Sequence, residues 1–207
     1  MVMAMMTRLI RAFAVLVFMC GCGASMAAES MTDEEAKGFI NTLGKEAFSV
    51  LTKKEASHQS REAKFREILD RGFDIKAIGR FSLGRYWKVF NKEQKERYFT
   101  TLKDMLIRSY VGKFADFPGS TFRIVRVDMG SDAGATVLTT VECPGSGSYN
   151  VSWKLYKTKS KGVRITDVIV DNISMGITQR SEFSSIMANL NGNVDEFIKR
   201  LSKIGEK

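Results

Sequence analysis

The chain has 207 residues, 44% of them apolar and 10% aromatic, with only two prolines. That is enough to bury one real core and leaves no compositional break for a flexible linker, so one domain is expected. The 32 basic and 23 acidic residues give a formal charge of +9, and a single histidine removes every metal site built on a histidine cluster.

Residues 1–28 read as a secretory signal peptide. Arg8 and Arg11 form a positive n-region, AFAVLVFMCGCG is an apolar run too short to span a membrane comfortably, and ASMAAE supplies small residues for cleavage after Ala27 or Ala28. What remains, 29–207, is expected to form the single domain. Cys20 and Cys22 leave with the leader, so neither a disulfide framework nor a thiolate metal cluster is expected. The remaining Cys143 reads as a small apolar filler. Subtracting Arg8 and Arg11 leaves 30 basic against 23 acidic residues. A basic exported chain meets anionic membrane surfaces or acidic protein partners, and nucleic acid is not among its expected partners.

From residue 32 the sequence is helical. TDEEAKGFINTLGKEAFSVL sets Thr32 and Glu35 at capping-box spacing and puts Ala36, Phe39, Ile40, Leu43, Ala47 and Val50 on one face. After the polar break KKEASHQS, REAKFREIL continues at helical spacing. FDIKAIGRFSLGRYWKVF follows with Asp74 as N-cap, and NKEQKERYFTTLKDMLIRSYVGKF opens on Asn91 and Gln94 with Phe99, Leu102, Leu106 and Tyr110 on one stripe. The period then falls to two. TFRIVRVDM and ATVLTTVE are joined by GSDAG, CPGSGS leads into YNVSWKLYK, and KSKG turns into VRITDVIVDNISM. In the third run Tyr149, Val151, Trp153 and Leu155 face one way. TQRSEFSSIMANL and NVDEFIKRL return to helix, the last capped by Asn193. The fold class is therefore α+β, with N-terminal helices packed on a curved four-stranded antiparallel sheet and helices at the C-terminal end.

Catalytic apparatus is sparse. His58, the only histidine, lies in the polar break, so neither a Ser-His-Asp triad nor a histidine metal cluster is expected, and no phosphate loop, dinucleotide fingerprint, zinc-protease motif or nucleophile elbow occurs. Asp167 and Asp171 are the two candidates for a general base at the mouth of a cavity. The competing reading gives Asp167 to neighbouring backbone groups and Asp171 to water, and it is favoured because no orienting partner stands near either. No enzyme activity, metal or cofactor is expected.

LGRYWK at 83–88, NKEQKERYFTTLKDMLIRSY at 91–110 and DVIVDNISMGITQRSEF at 167–183 together resemble the MlaC family, the toluene-tolerance auxiliary component of an ABC lipid transport system. The likeness runs over roughly 32–203. It implies an NTF2-like helix-on-sheet fold with a deep apolar pocket. It also implies a periplasmic shuttle whose cargo is phospholipid and whose partners are an inner-membrane MCE-domain ABC transporter complex and an outer-membrane lipoprotein complex. On that reading the pocket walls are Val151, Trp153 and Leu155 from the third strand, Val168 and Val170 from the fourth, and Leu106 and Tyr110 from the long helix. Phe81, Leu83, Tyr86 and Phe183 are added from the two motifs, and Arg85 and Arg180 are expected to meet a head group or a partner. A carrier of another apolar lipid such as a hopanoid, and a non-carrier interaction subunit, are the alternatives.

Overall fold

The computed structural model describes residues 30–51, 56–115, 118–130 and 134–205. The expected leader, with Cys20 and Cys22, lies outside the described residues, as do positions 53–55 of the polar break and 131–133 of the first hairpin loop.

Helix starts follow capping chemistry, which supplies acceptors for the N–H groups that a first turn leaves without partners. Helix α1 (Asp33–Leu51) opens on Thr32, whose Oγ1 accepts the Glu35 N–H at 3.1 Å. Helix α2 (His58–Gly72) opens on Ser57, and α3 (Ile75–Leu83) on Asp74, which accepts the Ala77 N–H at 3.2 Å. A 3-10 turn at Gly84–Lys88 leads into α4 (Lys92–Ala115). There Asn91 and Gln94 form a reciprocal capping box, each side chain accepting the other's N–H, at 2.8 and 3.1 Å. Beyond the sheet, α5 (Met175–Asn189) is capped by Ser174 and α6 (Val194–Lys203) by Asn193.

The sheet runs in sequence order through β1 (Thr121–Met129), β2 (Gly134–Cys143), β3 (Gly147–Thr158), β4 (Gly162–Val170) and β5 (Ile173–Ser174), every pair antiparallel. The fifth strand goes beyond the four expected. Asp171 and Asn172 adopt φ values of 45° and 69°, the left-handed two-residue turn that suits strand twist, so the chain folds back and Ile173 pairs with Val170.

Two bulges hold the pattern together. The register skips Val125 in β1 and Thr166 in β4, so Ile124 and Val127, and likewise Ile165 and Val168, stay on one face although three residues apart. That face looks toward the helices: α1 packs on β1 and β2, while α2, α3 and α5 reach β4. The buried side chains form two cores. One joins α1, α2 and part of α4 to the sheet through Ile40, Leu69, Ile107, Val111, Val137, Leu155 and Ile165. The other lies among helices and holds Leu83, Tyr98, Leu102, Phe183, Met187, Phe197 and Leu201. Ile75 and Leu106 pack against both.

Candidate functional site

Strand alternation aims Phe122, Ile124, Val127, Val137, Thr139, Val151, Trp153, Leu155, Ile165 and Val168 at the helical layer, as their cross-strand registers require. Closure is uneven across this layer. Val137, Leu155 and Ile165 are sealed, together with Ile107 and Val111 of α4. Phe122, Ile124, Val127, Trp153 and Val168, with Leu106 and Tyr110 opposite, pack against that core while remaining only half-buried. The result is an apolar seam between helices and sheet that is shut at its centre and loosely closed toward β1 and α4.

Five of the sequence-predicted wall residues meet here: Leu106, Tyr110, Trp153, Leu155 and Val168 belong to or pack against one core. Val151 is buried and stands in register with Thr139 and Val170, the latter half-buried. The seam contains little polarity, and what it contains is satisfied. The Trp153 indole N–H donates to Thr139 Oγ1 at 3.0 Å, and the Thr139 hydroxyl donates to the Val151 carbonyl at 3.0 Å. Burial, with the negative charge of Glu182 in support, pushes the Tyr110 phenol above its ordinary range, so it stays uncharged at neutral pH. A ligand entering the seam meets hydrocarbon, rings and a neutral hydroxyl.

The motif residues around 81–86 go elsewhere. Leu83 and Phe183 are wholly buried in the helical core, and Tyr86 packs against it. Phe81 is 45% exposed, with the Arg180 guanidinium 5.2 Å from its ring centroid. Arg85 lies 5.3 Å over the ring of Tyr86. Arg180 also rests on Gly84, whose φ of 52° is one that L side chains rarely adopt and whose missing Cβ would come within 2.9 Å of Arg180 Nε. Gly84→Ala is therefore expected to cost roughly 1–3 kcal/mol of stability, checked by denaturant unfolding, and to loosen Arg180 from Phe81.

Asp167 is committed to structure. Its Oδ1 accepts the Val168 and Gly176 N–H groups, both at 2.9 Å, and its Oδ2 accepts the Ser174 hydroxyl at 2.7 Å. Ser174 Oγ in turn caps α5 by accepting the Ile177 N–H at 3.0 Å. Asp171 is exposed and accepts the Asn150 N–H at 3.0 Å, holding the β4–β5 turn. Cys143 is buried, and His58 sits exposed at the start of α2. Among the described residues no group of three or more His, Cys, Asp or Glu side chains is placed to hold a metal ion, and no helix is long and apolar enough to cross a membrane.

Three contributions were not anticipated. Phe122, Ile124 and Val127 line the seam from β1; their alternation was visible, but an edge strand gave no reason to place them opposite α1. Thr139 reads as an ordinary strand residue until Trp153 is set beside it. Gly44, in mid-helix, admits the Phe122 ring where a Cβ would come within 2.4 Å, and Phe48 stacks on that ring at 5.3 Å.

Helices on one face of an open antiparallel meander, with an apolar seam between the layers, define an α+β protein whose candidate site is its interior rather than a polar cleft. The sequence profile described as MlaC protein matches residues 41–203, and the chain belongs to that family. No curated protein matches by sequence. Among solved structures, it is similar to the phospholipid-binding protein from Ralstonia solanacearum, determined in complex with a phospholipid. The identity is 17%, the TM-score 0.71, and the match covers 83% of this chain and 99% of that one.

Proposed function

We propose that this chain binds phospholipid in the seam between its helices and sheet, and carries it between membranes. The observation that carries the reading is the half-buried apolar set of Ile124, Val127, Leu106, Tyr110, Trp153 and Val168, neither sealed like a core nor exposed like a surface. Val151, Leu155 and Val170 extend this wall. Membership of the MlaC family and the fold shared with a phospholipid-bound protein support it. Leu83 and Phe183 serve packing in this proposal, and the exposed Arg85 and Arg180 are free to meet a head group or a partner. The same reading places the mature chain, released after Ala27 or Ala28, in the periplasm. There it exchanges lipid with an inner-membrane MCE-domain ABC transporter and an outer-membrane lipoprotein complex.

Energetics favour transfer by direct contact. At about 0.8 kcal/mol per buried methylene, two sixteen-carbon chains represent about 25 kcal/mol relative to water. That exceeds the practical ceiling of non-covalent affinity, so release into water is too slow to serve transport. Hand-over from one apolar environment to another avoids the loss. It requires of the carrier neither a nucleotide site nor a catalytic acid, and the Asp167 carboxylate is already engaged by three donors.

Native mass spectrometry of the protein from a periplasmic extract, followed by organic extraction, tests the proposal. A bound diacyl phospholipid is the expected result, and a hopanoid mass would move the cargo to another lipid class. Val168→Trp places a second indole beside Trp153, its cross-strand partner, and is expected to lower lipid occupancy by roughly tenfold or more while costing at most about 1–3 kcal/mol of stability. Full occupancy in that variant would move the site out of the seam.

A further inference from the structure

On the outer side of the helical layer a cleft of about 490 Å³ lies between α3 and the start of α4. Lys76 and Arg80 line it from α3, Lys92 and Lys95 from α4, and Lys161 from the β3–β4 turn, against only two carboxylates, Asp74 and Glu96. Asp74 is already occupied: it caps α3 and pairs with Lys161 at 3.3 Å. Among the described residues Lys76, Arg80, Lys92 and Lys95 form no ion pair. The apolar part of the cleft is Trp87 and Phe99, rings 5.7 Å apart, with Lys95 Nζ 4.6 Å and the Arg80 guanidinium 5.9 Å from the Trp87 centroid.

Two of these cations stand against local electrostatics. The N-terminal turn of a helix carries partial positive charge and favours acidic side chains. Yet α3 has no acidic residue in its first turn and has Lys76 there, and α4 begins with Lys92. Asp74 at the α3 N-cap and Glu93 in the first turn of α4 answer the two helix dipoles, and Lys76 Nζ lies 5.8 Å from the Phe99 centroid, so both lysines add positive charge to the cleft walls without an ion-pair partner among the described residues.

We infer that this cleft is a docking site for an acidic segment of a partner protein carrying an apolar side chain. Cations on both walls complement a linear run of carboxylates, and Trp87 and Phe99 offer a floor for one apolar group. A flat bilayer surface cannot enter a concavity between two helices to meet both walls. The site is separate from the lipid seam, since none of its lining residues belongs to the sheet-facing core, and the inference holds whether or not the chain carries lipid.

The test measures fluorescence anisotropy of a short fluorescein-labelled glutamate peptide with a leucine at its centre, titrated with the mature protein. The cleft variant is Lys76→Glu with Lys92→Glu, both exposed first-turn positions where glutamate suits the helix dipole, so folding is preserved. The control is Lys45→Glu with Arg123→Glu, exposed positions outside the cleft with the same change of net charge. The expected result is saturable, salt-sensitive binding that the cleft variant weakens roughly tenfold or more and the control by less than about twofold. Equal weakening by the two variants would reduce the effect to net charge and overturn the proposal, as would absence of peptide binding. Sedimentation with anionic vesicles that the cleft variant alone loses, without peptide binding, would overturn it in favour of a membrane surface.

Discussion

Phe183→Ala is expected to lower the free energy of unfolding by about 3–5 kcal/mol. Phe183 is wholly buried, its ring edge-to-face with Phe197 at 5.2 Å and 84° and with Tyr98 at 6.2 Å and 76°. Truncation forfeits the transfer free energy of the ring, opens a cavity among side chains from α4, α5 and α6, and removes two aromatic contacts, each worth about 0.5–1.5 kcal/mol. A domain of ordinary stability has about 5–15 kcal/mol in total, so roughly a fifth or more of it is at stake. The melting temperature is expected to fall by roughly 10 °C, measurable by circular dichroism. Phe183→Leu, which fills more of the space, should cost about 1–2 kcal/mol. The leucine variant also separates packing from lipid contact. Unchanged lipid occupancy below its melting point is expected if Phe183 only packs, whereas a fall in occupancy out of proportion to its stability loss would return Phe183 to the lipid wall.

The position of Phe183 shows what pattern alone could and could not give. Local chemistry was legible: Thr32, Asp74, Asn91 and Asn193 each cap the helix their spacing announced. Alternation placed Val151, Trp153 and Leu155 on the helix-facing side of β3, where their registers put them. Division of the interior into two cores was not legible, because apolar periodicity says which side of a helix is buried and never against what. The LGRYWK and QRSEF motifs thus looked like one wall with the strands, yet Leu83 and Phe183 close a helical core. Both bulges left a trace that strict alternation overlooks: the apolar step lengthens from two to three between Ile124 and Val127, and between Ile165 and Val168. The β4–β5 turn left only a weak trace: Asp and Asn tolerate the left-handed backbone that Asp171 and Asn172 adopt, but without a glycine the pair did not announce a two-residue turn. The basic cleft gathers lysines from segments as far apart as 76 and 161, and no sequence window contains them together.

Asp167→Ala is expected to cost about 3 kcal/mol, because it strips the acceptor from the Val168 N–H, the Gly176 N–H and the Ser174 hydroxyl at once. Hydrogen bonds to a charged acceptor contribute about 1.5–3 kcal/mol each, but the site is half-buried and water recovers part of the loss. The carboxylate ties the end of β4 to the first turn of α5. A Cβ at Gly176 would come within 3.0 Å of Asp167 Oδ1, so glycine there is what lets the carboxylate approach. Asp167→Asn retains an acceptor oxygen for the two N–H groups but turns an amide toward Ser174 Oγ, which already accepts from Ile177. The serine proton must then find water, and the asparagine variant should lie about 1–2 kcal/mol below wild type. Function divides the two readings of this residue more sharply than stability does. For a structural clamp, wild type and Asp167→Asn both yield intact phospholipid on extraction, at the same occupancy. A general base at the mouth of the seam would leave a hydrolysed or otherwise altered lipid in the wild type and an intact one in the asparagine variant. With three neighbouring donors already on its two oxygens, the carboxylate is held in a structural role, and intact lipid from both proteins is the expected result.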